Sequence, residues 1–380
     1  MSTTDTAPAC ADLLWAAVRA GDEHTATDVV LDAHARGLDP ESLLLDVIAA
    51  VQRRVGAEWA DNRLTVAEEH AATAINERAI AALTRAVPRR EPHRGRITVA
   101  CVDGEWHALP ARLLTEVLRL RGFRVDYLGA QVPTPHLITH LHRTGPDAAA
   151  LSGSIATRLP AAHATITACQ AAGVPVLVGG SAFGPDGRYA RLLGADLWAP
   201  DARTAADRLS AGPLPVPRDG HQPIDDLPHL GDQEYTMVSR TSRLLVKAVY
   251  TGLEDLLPVM REYTEAQRRH TAEDLGHIVD FLATALYTDD RDMFTGFTSW
   301  TAGVLWARGV PAGFLVPALD LLAAELRDFP RATGLLAAAR AELLRAPDAG
   351  SPAAGSRGGP TPTPRTSRPQ PHDADPGTTT

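Results

Sequence analysis

The sequence predicts an α/β protein with helical regions on either side: a helical bundle, a doubly wound parallel sheet, and a second helical domain. Three observations point there. Apolar residues of the N-terminal region recur at spacings of three and four, as on one face of a helix. From about 95 to 211, short apolar runs alternate with amphipathic segments, the pattern of parallel strands joined by crossover helices. Beyond about 233 the helical period returns, after a Pro-rich break.

The first region, 8–88, carries Leu44, Val47, Val51 and Val55 at helical spacing, followed by Trp59. Gly21-Asp22 and Gly37-Leu38-Asp39-Pro40 interrupt the period, so three or four short helices in a bundle are expected. In the second region, 95–211, strands are expected at 97–102, 125–128, 148–151, 174–178 and 196–199. Residues 212–232, dense in proline, read as a linker. The third region, 233–346, is expected to hold amphipathic helices at 243–260 and 272–287. It also carries the aromatic residues Phe294, Phe297, Trp300 and Trp306, and a turn at Arg308-Gly309-Val310-Pro311. The tail, 347–380, is rich in Pro, Gly, Ser and Thr and too poor in large apolar residues to offset its ordering entropy, so disorder is expected.

Composition narrows the function. A chain of 380 residues with 44% hydrophobic content can bury more than one core. With 37 basic and 46 acidic residues, the net charge of −9 offers no general attraction to phosphate backbones, and no local basic element compensates. Direct nucleic-acid binding is therefore not expected. Cys10, Cys101 and Cys169 are too dispersed for a disulfide framework or a CxxC knuckle, which fits a reducing cytoplasm. The N-terminus lacks the pattern of a signal peptide, and no stretch reaches the roughly 20 apolar residues that span a bilayer. A soluble cytoplasmic protein is expected.

Open parallel sheets bind ligands beyond the carboxyl ends of their strands, so the loop after the first strand is the first candidate site. It reads Asp103-Gly104-Glu105-Trp106-His107-Ala108-Leu109-Pro110, without a glycine-rich phosphate fingerprint. Instead Glu105 stands two residues before His107. At that spacing a carboxylate can hold one imidazole nitrogen and leave the other as a metal ligand of raised basicity.

At this point the chain resembles the cobalamin-binding domains, whose Asp/Glu-x-His-x-x-Gly motif follows the first strand of a Rossmann-like sheet. Glu105 and His107 match; Pro110 stands where the family usually has Gly. The resemblance continues through Arg121-Gly122-Phe123, Val132-Pro133, Leu151-Ser152-Gly153-Ser154 and Val178-Gly179-Gly180-Ser181, in order. It implies that His107 is the lower axial cobalt ligand and Glu105 its orienting partner. Ser152, Ser154, Gly179 and Gly180 would line the slot for the nucleotide tail, with Thr157 as a candidate hydroxyl partner.

The first region is similar in size and position to the four-helix cap that precedes such sheets. Trp59, nine intervening residues and then Glu69-His70 match the upper-pocket marks of the light-responsive, adenosylcobalamin-using transcriptional regulators. The resemblance implies that an indole covers the upper ligand and that Glu69 and His70 contact an adenosyl group. Two departures bear on mechanism. Ala60 replaces the histidine that captures cobalt after photolysis, and the helical pattern begins near residue 8, so no winged helix is expected before it.

Together these readings lead to the expectation of a cobalamin-dependent sensor or photoreceptor, with adenosylcobalamin rather than methylcobalamin as cofactor and no catalytic residues of its own. Output would run through a protein partner of the C-terminal helical domain, with homo-oligomerisation possible and no membrane contact. Residues 289–294 and 307–311 have a faint likeness to helical sensory modules of bacterial stress regulators. His270 and His277, seven apart on one helical face, read as surface or core histidines rather than a metal site. The alternatives are a corrinoid methyl carrier of a methyltransferase system and a helical scaffold around a sheet without ligand.

Overall fold

The computed structural model describes residues 6–88, 91–215, 227–308 and 315–345. The tail at 347–380, the centre of the expected linker and the turn residues Gly309, Val310 and Pro311 lie outside the described residues.

The N-terminal bundle consists of α1 (Ala7–Arg19), α2 (Glu23–Ala35), a continuous helical segment and α5 (Val66–Ala86). The continuous segment starts with α3 (Pro40–Ser42), widens into a π-helical stretch (Leu43–Ile48) and ends as α4 (Ala49–Ala60). Asp22 caps α2 by accepting from the Thr25 amide, and a Thr65–Glu68 capping box starts α5. Leu14, Val30, Leu44, Val47, Ile48, Val55 and Ile80 fill the interior, so the residues chosen by helical period are the buried ones.

The sheet contains β1 (Arg96–Cys101), β2 (Arg124–Gly129), β3 (Ala148–Ser152), β4 (Val176–Gly179) and β5 (Leu197–Ala199). All pair in parallel in the order β2-β1-β3-β4-β5. Each strand falls where the apolar runs place it, with small shifts. Val174 stays outside β4 because the next residue, Pro175, has no N–H to donate. The crossover helices are α6 (Ala108–Leu120), α7 (Thr134–Thr144), α8 (Leu159–Ala171) and α9 (Arg188–Leu192), and α10 (Ala202–Ala211) follows β5.

The two faces of the sheet serve different cores. Ile97, Val99, Ala148, Ala150 and Leu177 join Leu113 and Val117 of α6, Ala206 of α10 and the bundle residues Leu14 and Val47. Their neighbours in sequence, Ala100, Val102, Ala149, Leu151, Val176 and Val178, join α8 and the C-terminal helices through Ile166, Leu282 and Phe294. The two-residue period of a strand thus divides the apolar runs between both helical regions. An ionic joint fixes the bundle to the sheet layer. Glu41 accepts from Arg121 at 2.7 and 2.9 Å and from Arg203 at 3.3 Å, and Arg203 also reaches Asp46 at 2.9 Å.

The C-terminal helices are α11 (Glu234–Leu256), α12 (Glu265–Thr288), α13 (Arg291–Ala307), α14 (Leu315–Glu325) and α15 (Pro330–Arg345). The expected helix at 243–260 is corrected at both ends. It begins earlier, where the Asp232 carboxylate accepts from the Glu234 amide. It ends at Leu256 because Pro258 drives Leu257 out of helical geometry (φ −124°, ψ 82°), leaving a 3₁₀ turn at Pro258–Glu262. The helix expected at 272–287 begins at Glu265, where a Thr264–Gln267 capping box starts a polar first turn without apolar period. Residues 228–232, at the end of the expected linker, form a 3₁₀ turn, and Leu227 and Leu230 are buried in the C-terminal core. Among the described residues no helix is long and apolar enough to cross a membrane.

The hydrogen bond from Arg121 and its charge hold the Glu41 carboxyl below the usual carboxylate range, against the opposing effect of partial burial. Glu41→Gln is expected to lower stability by about 1 kcal/mol, because the pair is partly exposed. Denaturant unfolding at neutral pH measures this, with Asp207→Asn, which loses only an exposed ion pair to Arg121, as a near-neutral control.

Candidate site at the switch point of the sheet

β1 lies between β2 and β3, and the chain leaves it toward β2 before returning to β3 on the other side. The loops after β1 and β3 therefore part at this point and leave a crevice. Glu105 spans it. Its Oε1 accepts from the His107 amide at 2.9 Å and lies 2.7 Å from His107 Nδ1. Its Oε2 accepts from the amides of Ser154 at 2.8 Å and Ile155 at 3.0 Å. The side chain is 0% exposed.

Burial alone would push the Glu105 carboxyl upward. Hydrogen bonds from the His107 ring and amide, the charge of His107 and the Ser154 amide outweigh it, so the carboxyl is held below its ordinary value. An ionised carboxylate only accepts, so the Nδ1 of His107 carries the proton and, in the neutral ring, Nε2 keeps the lone pair. The imidazole is 23% exposed, so a ligand can reach it. His107 stands at the N-terminus of α6 and Pro110 lies in the first turn, where a missing N–H removes no intrahelical bond. The departure at position 110 is therefore absorbed by the helix.

Two further ties were not legible in sequence. The Asp103 carboxylate accepts from the amide and hydroxyl of Thr134, at 3.0 and 3.2 Å, which fixes the β1 loop to the start of α7. The Gln131 amide donates to the Glu105 carbonyl at 3.0 Å. Loops after β1, β2 and β3 thus converge on Glu105.

The small residues of the expected tail slot come together by backbone packing. Gly180 has φ +101°, and a Cβ there would lie 2.2 Å from the Gly153 carbonyl oxygen. Gly153 donates to the Gly179 carbonyl at 3.0 Å, and the Ser181 hydroxyl donates to the Ser154 carbonyl at 2.9 Å. A Cβ on Gly179 would stand 3.0 Å from the Ala199 carbonyl oxygen. Ser152 and Ser154 are buried, and Thr157 sits half-buried in the 3₁₀ turn at Ala156–Arg158. Gly180 is thus demanded by the contact between the loops themselves, while Gly179 ends β4 in tight contact with β5.

In the bundle, Trp59 lies in the last turn of α4, Glu69 follows in the first turn of α5, and His70 begins the next. Glu69 accepts from Thr73 at 3.0 Å, and His70 Nδ1 lies 2.9 Å from both Glu69 Oε2 and the Val66 carbonyl. Gln52 continues this polar chain, donating to Thr73 and accepting from the fully buried Asn76, each at 2.8 Å. Trp59 meets residues remote in sequence. Trp300 of α13 lies nearly parallel to it, with ring centroids 6.5 Å apart, and the Arg308 guanidinium is 5.1 Å from its ring. Among the described residues the buried indole Nε1 of Trp59 has no hydrogen-bond partner. No signal in the sequence pairs Trp59 with Trp300 or Arg308; only the docking of α13 does so. The thiols of Cys101 and Cys169 are pushed up to about 12, by burial above all, which makes them poor nucleophiles. Among the described residues, no group of three or more His, Cys, Asp or Glu side chains could hold a metal ion.

With this geometry in place, comparison with known proteins is decisive. A family described as B12 binding domain matches residues 95–209, and a second family of the same description matches residues 11–84. Residues 11–84 and 95–209 are thus B12-binding domains. It is 33% identical over 174 residues to the HTH-type transcriptional repressor CarH of Myxococcus xanthus, a match over 44% of this chain and 56% of that protein. The chain thus spans little more than half the length of that relative. It is 24% identical over 197 residues to the trimethylamine corrinoid protein of Methanosarcina barkeri, covering 50% of this chain and 90% of that one. Among solved structures, the monomethylamine corrinoid protein of Methanosarcina barkeri is similar with 18% identity and a TM-score of 0.48, over 54% of this chain and 98% of that chain.

Two substitutions test the loop geometry of the B12-binding domain at 95–209. Glu105→Gln turns an NH₂ group toward N–H donors and is expected to cost about 2–4 kcal/mol. Because the carboxyl is held low in the fold, its contribution is present above the ordinary carboxylate range and lost as pH falls through the lowered value. Denaturant unfolding between neutral and acid pH should show this acid limb in the parent and a weaker one in the variant. Gly180→Ala, which forces a Cβ against the Gly153 carbonyl at a positive φ, should cost about 2–4 kcal/mol in the same assay.

Proposed function

We propose that this B12-binding-domain protein is a cobalamin-dependent sensor in which Nε2 of His107 is the lower axial ligand of cobalt. The observation that carries the reading is the buried Glu105 carboxylate, which fixes the His107 ring through Nδ1 and leaves the second nitrogen to a metal. The residues fit the group. A metal held by its own macrocycle needs one protein nitrogen rather than a cluster of ligands, and His107 provides it. The Trp59 Nε1, buried and without a partner among the described residues, suits a site completed by a bound acceptor.

In this reading Glu105 orients His107 and keeps its proton on Nδ1. Ser152, Ser154, Gly179 and Gly180 shape the slot for the nucleotide tail, with Thr157 at its edge. Trp59 excludes water from the upper face, and Glu69 and His70 offer polar contacts to an adenosyl group. Bound cobalamin supplies a cobalt–carbon bond that light or a change of upper ligand can alter. Ala60 provides no imidazole, so capture of cobalt by that position is not part of the mechanism. Signal output would pass through the C-terminal helices to a protein partner, or through self-association, in keeping with a net charge of −9 that gives no general attraction to DNA. Its three free cysteines suit a cytoplasmic setting.

A second reading is a corrinoid methyl carrier. It is favoured by the match to the trimethylamine corrinoid protein over nearly all of that protein's length. The two readings part in one experiment. Purified protein is incubated in the dark with adenosylcobalamin or methylcobalamin, desalted, and its absorption spectrum and mass recorded before and after green light. Retention of adenosylcobalamin with a light-dependent change in mass supports the sensor. Retention of methylcobalamin alone, with methyl transfer to a thiol when a partner enzyme is added, supports the carrier. His107→Ala should lose the spectrum of imidazole-ligated cobalt and weaken binding at least tenfold; an unchanged bound spectrum would refute His107 as ligand.

A further inference from the structure

α13 touches both halves of the candidate site. At its N-terminus Asp290 caps the helix through the Asp292 and Met293 amides. The same carboxylate accepts from the Tyr189 hydroxyl at 2.6 Å and pairs with Arg188 at 3.1 Å, just beyond the Gly179-Gly180 loop of the sheet. Its 17 residues, at ~1.5 Å each, then span about 25 Å to the bundle. There Trp300 stacks on Trp59, and the Arg308 guanidinium lies against the same indole while donating to the Trp59 carbonyl at 3.4 Å. Asn62 donates to the Ala307 carbonyl at 3.3 Å.

The two ends are unequal. The sheet end is a short, partly buried, charge-assisted contact, whereas the bonds from Arg308 to the Trp59 carbonyl and from Asn62 to the Ala307 carbonyl are long and solvent-exposed. A group that competes for the Trp59 indole would therefore act on the bundle end of α13 before the sheet end. We propose that Trp300 and Arg308 set upper-ligand selectivity by competing for Trp59, so that a bulky upper ligand displaces the last turns of α13 and a small one leaves them docked. This rests on the cobalamin reading above and adds the residues through which the C-terminal helices sense the ligand. Binding and undocking are then reciprocally coupled, and weakening the contact must tighten the bulky ligand.

Full-length protein and the variants Trp300→Ala and Arg308→Gln are titrated in the dark with adenosylcobalamin and with hydroxocobalamin. Hydrogen–deuterium exchange is followed over residues 298–308. In the parent, adenosylcobalamin should raise exchange in the last turns of α13 and hydroxocobalamin should not. Each variant should bind adenosylcobalamin at least fivefold more tightly, with hydroxocobalamin affinity within twofold of the parent. Arg308 is exposed, so its variant keeps the test open if Trp300→Ala fails to fold. Hydroxocobalamin binding with unchanged or weakened adenosylcobalamin affinity overturns the competition and leaves the cobalamin reading intact. Failure to bind either cobalamin overturns both.

Discussion

Removing a carboxylate from water costs several kcal/mol unless its oxygens are fully hydrogen-bonded, and Glu105 meets that condition with N–H groups from two loops. The cost of leaving any of those donors unpaired is what holds the loops after β1 and β3 in register across the crevice. The same carboxylate decides which nitrogen of His107 carries the proton. Structural closure and ligand chemistry are therefore set by one group, and the loops that would receive a nucleotide tail inherit their positions from it.

Around this centre the sheet works as a partition. Its strands are apolar on both faces, and each face is completed by a different helical region: α6, α10 and the N-terminal bundle on one side, α8 and the C-terminal helices on the other. Neither helical region floats free. The bundle is held by the Glu41 joint, and the C-terminal helices by a shared core, by the hydrogen bond between His163 and Tyr287, and by the Tyr189–Asp290 contact. A change at the crevice has a short path to either region, because both pack on the layer that carries it.

Much of the site was readable because its chemistry is local. Glu105 and His107 are two residues apart, and Ser152, Ser154, Gly179 and Gly180 stand at or just beyond the ends of predicted strands. The roles of the glycines were legible only in part. Gly180 is needed where its loop touches the Gly153 backbone, whatever ligand is present. Asp103 escaped notice because its partner, Thr134, lies in a different crossover, and a lone acid in a loop has no pattern that names its acceptor role.

The sequence by itself determined the α/β class flanked by helices, the position of all five strands and the acid–histidine pair, since period two, period 3.6 and short-range spacing are properties of neighbouring residues. It misplaced helix ends where a cap or a proline, rather than apolar period, decides them, as at Asp232, Pro258 and Thr264. Only the tertiary structure decided that the C-terminal helices share a core with the sheet and that Trp300 and Arg308 lie on Trp59. Those contacts join segments far apart in the chain, and which apolar face meets which is settled by packing of the whole, not by any local run of residues.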